Sequence, residues 1–131
     1  MENFDYTNAI ETLFKYFPQL ETSPYILEGW DIDIPYSLYS GFGNLLIEKI
    51  KNKEFEEADK MIDFISEISK TKKSNGIDLV LDLYETIEED EGADKYFLSK
   101  LTEPGLSHLY SSRNWQNVSI EDQKKFRAQF H

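Results

Sequence analysis

The sequence predicts an all-α fold: a single all-helical domain over residues 1–131, with six or seven short helices in antiparallel pairs. A chain of 131 residues has about the length of one domain. Hydrophobic residues make up 40% of it and aromatic residues 15%, which is enough for a packed core even at a net charge of −11. Apolar side chains recur at helical spacings through most of the chain. The helix lengths are also compatible with a short solenoid-like stack of helix pairs.

The first helix is predicted to end at Pro18, which lacks the backbone donor that a continuing helix needs. Its apolar face consists of Tyr6, Ile10, Leu13 and Phe17. Residues 20–35 show no helical period, and their apolar run is bounded by two prolines. We therefore expect an ordered, partly extended connector in this segment.

The next two helices are predicted over residues 37–51 and 54–70, with Ser37 as the candidate N-cap of the first. The short link between them predicts an antiparallel pair. Gly41 and Gly43 lie inside the first of these helices, where each costs about 1 kcal/mol relative to alanine. We therefore expect a neighbouring backbone to approach closely at these two glycines.

The second half of the chain is predicted to contain the remaining helices. Asn75 and Gly76 are expected to close the third helix, and the fourth helix to cover residues 77–89. Two shorter helical segments follow, separated by Pro104. Residues 119–122 resemble a capping box, which predicts a final helix near the C-terminus.

Negative charge is concentrated in residues 78–94, which contain eight acidic residues and no base. Four of these acids recur at spacings of four, three and four residues, so they share one stripe of the fourth helix, opposite its apolar row. They are Asp78, Asp82, Glu85 and Glu89. Like charges at these spacings destabilise a helix by about 0.2–0.5 kcal/mol per pair. The stripe is interpreted either as a solvated face that aids solubility or as a docking face for a basic partner.

Composition excludes several classes of function. The chain has no cysteine and only two histidines, which rules out disulfides, cysteine nucleophiles and Cys/His zinc sites. We predict no cofactor, no metal ion and no enzymatic activity. A cytoplasmic location is expected, because the N-terminal residues lack the basic region of a signal peptide and no apolar run is long enough to span a membrane. A pI near 4.6 argues against nucleic acid or an anionic membrane as the partner.

Pairs of acidic residues one helical turn apart leave open an alternative, a magnesium-dependent enzyme of the helical nucleotide-pyrophosphatase type. The pairs are Glu54 with Glu57 and Glu85 with Glu88. Such enzymes need carboxylates that face inward, whereas Glu85 is expected to face solvent. The spacing therefore favours this alternative less than a binding role.

Residues 36–115 resemble a family of small, acidic, all-helical bacterial domains of undefined biochemical activity. Many members are encoded beside polymorphic toxins and are treated as immunity-like proteins. Within this stretch, the segments that carry the resemblance are LLIEKIKNKEFEEADKMIDFISEI, DLVLDLYETI and FLSKLTEPGLSHLYSSRNW. The N-terminal segment LFKYFPQL, at residues 13–20, is a further resembling feature. The resemblance implies a toxin-neutralising role and provides no catalytic residue.

The sequence therefore predicts an immunity-type binding protein that neutralises a cognate basic protein toxin, a nuclease toxin domain, through an acidic surface. A regulatory protein-interaction module without a toxin remains a further alternative, and the oligomeric state is left open. The predicted partner-binding residues are Asp78, Asp82, Glu85, Glu88, Glu89, Asp90 and Glu91, with Trp30, Asp31 and Asp33 as a second patch.

Overall fold

The computed structural model describes residues 1–22 and 33–112, and all regular secondary structure within these ranges is helical. The elements are α1 (Ala9–Tyr16), a 3-10 helix (Pro18–Thr22), α2 (Pro35–Lys51), α3 (Phe55–Ile68), α4 (Ser74–Glu88), α5 (Glu91–Lys100) and α6 (Gly105–Ser112). The all-α prediction is confirmed. The predicted final helix around residues 119–122 and most of the predicted connector lie outside the described residues.

Helix α2 lies at the centre of the packing. It contacts α1, α3, α4 and α5, and its most extensive contact is with α4. One hydrophobic core contains buried side chains from all six α-helices. Four of the other helices therefore pack against α2, and α6 joins the core through α4.

Helices α2 and α4 approach each other closely at Gly43. A Cβ atom at this position would lie 3.0 Å from side-chain atoms of both Leu83 and Thr86. The expected approach of a neighbouring backbone is wrong at Gly43, because the atoms that crowd this glycine belong to side chains. Leu79, Leu83 and Ile87 are fully buried. This burial commits one face of α4 to the core and turns the opposite face outward.

An aromatic cluster joins α1, α2 and α3. The rings of Phe17 and Phe42 are 5.4 Å apart, and those of Phe42 and Phe64 are 5.7 Å apart and nearly perpendicular at 80°. Such pairs contribute about 0.5–1.5 kcal/mol beyond the area they bury. The buried Tyr39 hydroxyl donates to the carbonyl of Ala9 at 2.8 Å, which attaches α1 to α2.

Hydrogen bonds attach the N-terminal segment to the loop between α3 and α4. The backbone N–H of Lys72 donates to the carbonyl of Glu2 at 3.0 Å, and the Thr71 hydroxyl donates to the carbonyl of Phe4. Phe4 itself is buried in the core. The same carbonyl of Phe4 lies so close to Gly76 that any Cβ atom on Gly76 would overlap it. Glycine is therefore required at position 76 by a backbone contact.

That contact explains why the predicted end of the third helix is wrong. Helix α3 ends at Ile68, and α4 begins at Ser74, so Asn75 and Gly76 lie in the first turn of α4. Asparagine and glycine are common at the C-terminal ends of helices, and the pair was therefore predicted to end the third helix. The glycine is present because Phe4 packs against it, a contact between residues far apart in the sequence.

The predicted start of the second helix is also wrong. Helix α2 begins at Pro35, with Ile34 as its N-cap, so Ser37 lies inside the first turn and not at the cap. Proline suits the first helical position, because its fixed φ is helical and its missing N–H would have no partner there. Proline at the first position therefore determines this boundary.

Tyr6 does not belong to the apolar face of the first helix, because α1 starts only at Ala9. The carboxylate of Asp5 accepts hydrogen bonds from the backbone N–H groups of Thr7 at 2.9 Å and Asn8 at 3.2 Å. Such local bonds stabilise a turn in place of a helix. Tyr6 lies in this turn and is 40% exposed.

Substitution of Gly76 by alanine tests the attachment of the N-terminal segment. We expect Gly76→Ala to lower the free energy of unfolding by about 1–3 kcal/mol, because the added methyl group must displace the Phe4 carbonyl. Chemical denaturation of the full chain measures the change.

Gly92→Ala is the matched control, because Gly92 also lies in the first turn of a helix and its Cβ would meet only the Asp90 carboxylate, at 3.6 Å. This variant should gain up to about 1 kcal/mol from helix propensity. An unfolding free energy for Gly76→Ala at or above that of the wild type would contradict the account.

Candidate protein-binding site

The acidic stripe of α4 faces away from the core. Asp78, Glu85 and Glu89 are exposed, and Asp82 is half-buried. The Ser40 hydroxyl donates to the Asp82 carboxylate at 3.4 Å, which brings this carboxylate against α2. The helical periodicity therefore places these four side chains as the sequence predicts.

The four carboxylates of the stripe have no cationic partner in the part of the chain that the structure describes. No lysine nitrogen lies within 4.0 Å of the carboxylates of Asp78, Asp82, Glu85 or Glu89. Glu88, beside them on the outer side of α4, is also exposed. Within residues 1–22 and 33–112, the four carboxylates of the stripe therefore combine negative charge without a lysine at ion-pair distance.

The acidic residues of α3 are arranged differently. Lys49 lies 3.6 Å from Glu54 and 3.2 Å from Glu57. The hydrogen bond from its ammonium group to Glu57 raises the pKa of Lys49. Glu67 is paired with Lys70 at 2.8 Å, and this hydrogen bond lowers the pKa of Glu67. Helix α3 therefore has the mixture of charges that is typical of a solvated helix face.

The ammonium group of Lys49 also bears on the magnesium alternative, since it lies between the two carboxylates of the pair Glu54 and Glu57. A divalent cation at this position would have to displace it. Within residues 1–22 and 33–112, no three or more histidine, aspartate or glutamate side chains are close enough together to hold a metal ion.

Asp90 has a structural role in addition to its predicted one. It is the N-cap of α5, and its carboxylate accepts a hydrogen bond from the backbone N–H of Ala93 at 2.9 Å. Lys51 lies 3.4 Å from the same carboxylate. The backbone hydrogen bond, assisted by Lys51, lowers the pKa of Asp90. This carboxylate is therefore already engaged, in contrast to those of the α4 stripe.

Glu91 is exposed in the first turn of α5, where the helix dipole favours a negative charge. The helix includes Gly92 and begins earlier than the predicted segment, which started after that glycine. Aspartate is one of the favoured N-cap residues, and acidic residues such as Glu91 are enriched in the first turn of a helix. The sequence therefore contained enough information to identify the Asp90 cap.

The second predicted patch is described only in part. Asp33 is exposed and lies two residues before α2. Trp30 and Asp31 lie outside the described residues. Of this patch, the structure therefore describes one carboxylate, which lies near the start of α2.

Two tyrosines that the sequence did not assign to any site lie beside the acidic stripe. The rings of Tyr6 and Tyr36 are 5.9 Å apart, and the two side chains are 40% and 38% exposed. Partial burial, together with the negative charges of Asp78 and Asp82, raises the pKa of the Tyr36 phenol. The aromatic pair and the N-terminal half of the stripe therefore belong to one surface.

A shallow cavity of about 290 Å³ lies at the N-terminal segment, away from this surface. Met1, Glu2, Asn3, Phe4, Asn8, Thr12, Lys15 and Tyr16 line it. It is open to solvent, and its lining combines one acid, one base and several neutral groups. This lining does not indicate a particular ligand.

No protein family model matches the chain, and neither a curated protein nor a solved structure is significantly similar to it. Among the helices of the described residues, none is long and apolar enough to cross a membrane.

The Asp90 cap gives a prediction about pH. Replacement by alanine should lower the melting temperature at neutral pH, because α5 loses its N-cap hydrogen bond and its contact with Lys51. Since folding lowers the pKa of Asp90 below its usual 3.8, its stabilisation is complete above that pH and is lost as the pH falls through the lowered value.

The difference in melting temperature between the wild type and Asp90→Ala should therefore shrink in strong acid. Asp90→Ser is the control, because serine caps a helix without a charge. Its melting temperature should exceed that of Asp90→Ala at every pH, by part of the amount by which the wild type exceeds Asp90→Ala at neutral pH. A difference that stays constant from neutral pH into strong acid would show that the carboxylate charge does not contribute.

Proposed function

We propose that this chain is an immunity-type binding protein that neutralises a basic protein toxin through the outer face of α4. The observation that carries the proposal is the stripe of Asp78, Asp82, Glu85 and Glu89, which has no lysine within 4.0 Å in the described ranges. The resemblance of residues 36–115 to immunity-like bacterial domains points to the same role.

The energetics of the stripe support a binding function. Four like charges at spacings of three and four residues destabilise the isolated helix by a few tenths of a kcal/mol per pair. A lysine among them would remove this cost without changing the core. Helix α3, on the same scaffold, has such lysines. A requirement for a negative surface is a reason for α4 to lack them.

The charge also indicates what kind of partner would bind. A toxin that degrades nucleic acid must attract phosphate groups, so its active cleft is positively charged. A row of fixed carboxylates on a rigid helix is complementary to such a cleft. Long-range attraction would also accelerate the encounter, and rapid capture suits a protein that must neutralise a toxic enzyme.

Charge reversal on α4 tests the proposal directly. Glu85→Lys with Glu89→Lys should leave the fold intact, because both side chains are exposed and cations are favoured near the C-terminal end of a helix. The test uses the basic toxin domain whose gene neighbours the gene of this protein. The variant should bind it at least about tenfold more weakly than the wild type, because like charges then face each other. It should also fail to rescue cells that express the toxin.

The control is Glu56→Lys with Asp63→Lys, which makes the same change in net charge at exposed positions of α3. This control should bind and rescue nearly as well as the wild type. Equal losses in the two variants would mean that only the net charge matters, and no loss in either would contradict a role for the acidic face. If the neighbouring protein binds without being toxic, the chain is a regulatory interaction module.

The magnesium alternative has its own test. Millimolar magnesium should leave the melting temperature unchanged, because the Lys49 ammonium group lies within 4.0 Å of both Glu54 and Glu57, and Glu85 is exposed to solvent. A thermal shift assay measures the effect. A rise in melting temperature that Glu85→Gln abolishes, together with hydrolysis of nucleoside triphosphates, would favour the enzyme.

A further inference from the structure

An exposed aromatic pair, Tyr6 and Tyr36, lies beside the acidic stripe. Tyr6 is 40% exposed and Tyr36 is 38% exposed, and their rings are tilted by 44° at a centroid distance of 5.9 Å. Ile34, two residues before Tyr36, is 44% exposed. Exposed aromatic side chains next to charged ones are typical of the central residues of protein interfaces.

The pair is fixed by the fold. Tyr36 lies in the first turn of α2, the central helix. The backbone N–H of Tyr6 donates to the Asn75 side chain at 3.4 Å, in the first turn of α4. Both rings are therefore held next to the beginning of α4 by elements that the core already positions, so ordering them on binding would cost little conformational entropy.

Two carboxylates of the stripe lie on the same side. Asp78 is exposed one turn into α4, and the half-buried Asp82 follows one turn later. Both carboxylates act electrostatically on the Tyr36 phenol. Neither has a lysine nitrogen within 4.0 Å among residues 1–22 and 33–112. The surface therefore combines aromatic faces with negative charge.

This combination favours arginine over lysine. A guanidinium group is planar and weakly hydrated, so it can stack on a tyrosine ring while it donates two hydrogen bonds to a carboxylate. An ammonium group is a compact, strongly hydrated charge and gains less from the ring. Nucleic acid and a second copy of this acidic chain would both be repelled.

We propose that Tyr6, Tyr36, Asp78 and Asp82 form a docking surface for an arginine side chain of a protein partner. The inference rests on the proposed function and names the chemistry of its central contact. It places this contact at the N-terminal half of α4, away from the most acid-rich segment that follows the helix.

Two blocked heptapeptides, one with three arginines and one with three lysines separated by glycines, test the selectivity at equal charge. NMR titration of the full-length protein gives the affinities and shows which tyrosine ring signals shift. The arginine peptide should bind about two- to fivefold more tightly, as expected for a cation–π contact at an exposed site. The largest ring shifts should belong to Tyr6 and Tyr36.

Substitutions distinguish the contribution of the tyrosine rings from that of the carboxylates. Tyr6→Leu with Tyr36→Leu should abolish the preference for arginine while leaving lysine binding unchanged, and Tyr36→Phe should retain the preference. Asp78→Asn should weaken the binding of both peptides. Tyr16→Leu is the control, because Tyr16 is 53% exposed at the far end of α1 and packs on Phe64.

Equal affinity for the two peptides, or binding of neither, would overturn the inference, as would shifts centred on residues 85–91 with the Tyr6 and Tyr36 signals unmoved. The ring shifts of the wild type decide the question even if the double leucine variant does not fold. The proposed function is measured separately, through the toxin affinity of Glu85→Lys with Glu89→Lys, so the two failures are distinguishable.

Discussion

The packing of α4 against α2 is the constraint on which the remaining surface depends. At Gly43 the two helices are so close that a single methyl group would lie 3.0 Å from Leu83 and Thr86. Once Leu83 and its apolar neighbours one turn away are buried, the helical period turns Asp78, Glu85 and Glu89 outward and leaves Asp82 half-buried against α2. The acidic face is thus a consequence of the core, held on a rigid helix and displayed at a fixed angle.

The same scaffold shows that acidic residues need not form such a face. On α3, lysines lie near Glu56 and Glu67, and on α2 Lys49 bridges Glu54 and Glu57. Exposed ion pairs of this kind contribute little to stability, on the order of 0–1 kcal/mol. These ion pairs do, however, neutralise the local surface potential. The difference between α3 and α4 therefore concerns recognition more than stability.

Helical periodicity was sufficient to predict the fold class and the exposure of Asp78, Glu85 and Glu89, because both follow from residue spacing within a helix. It failed where contacts between residues far apart in the sequence determine the local structure. Gly76 looked like a helix terminator because nothing in the local sequence shows that Phe4 packs against it. Tyr6 fitted an apolar row by spacing, yet the turn made by Asp5 excludes it from α1, and its pairing with Tyr36 needs the tertiary structure.

Amide hydrogen exchange of the chain, free and bound to the basic toxin domain encoded beside its gene, tests the central claim most directly. The account predicts that binding slows exchange in α4 and in the first turn of α2, where the carboxylates and the tyrosine pair lie together. Exchange in α3, where Glu56, Glu57 and Glu67 have lysine partners, should change little. Protection confined to α3 or α6, with α4 exchanging as it does in the free protein, would contradict the claim that the outer face of α4 is the binding surface.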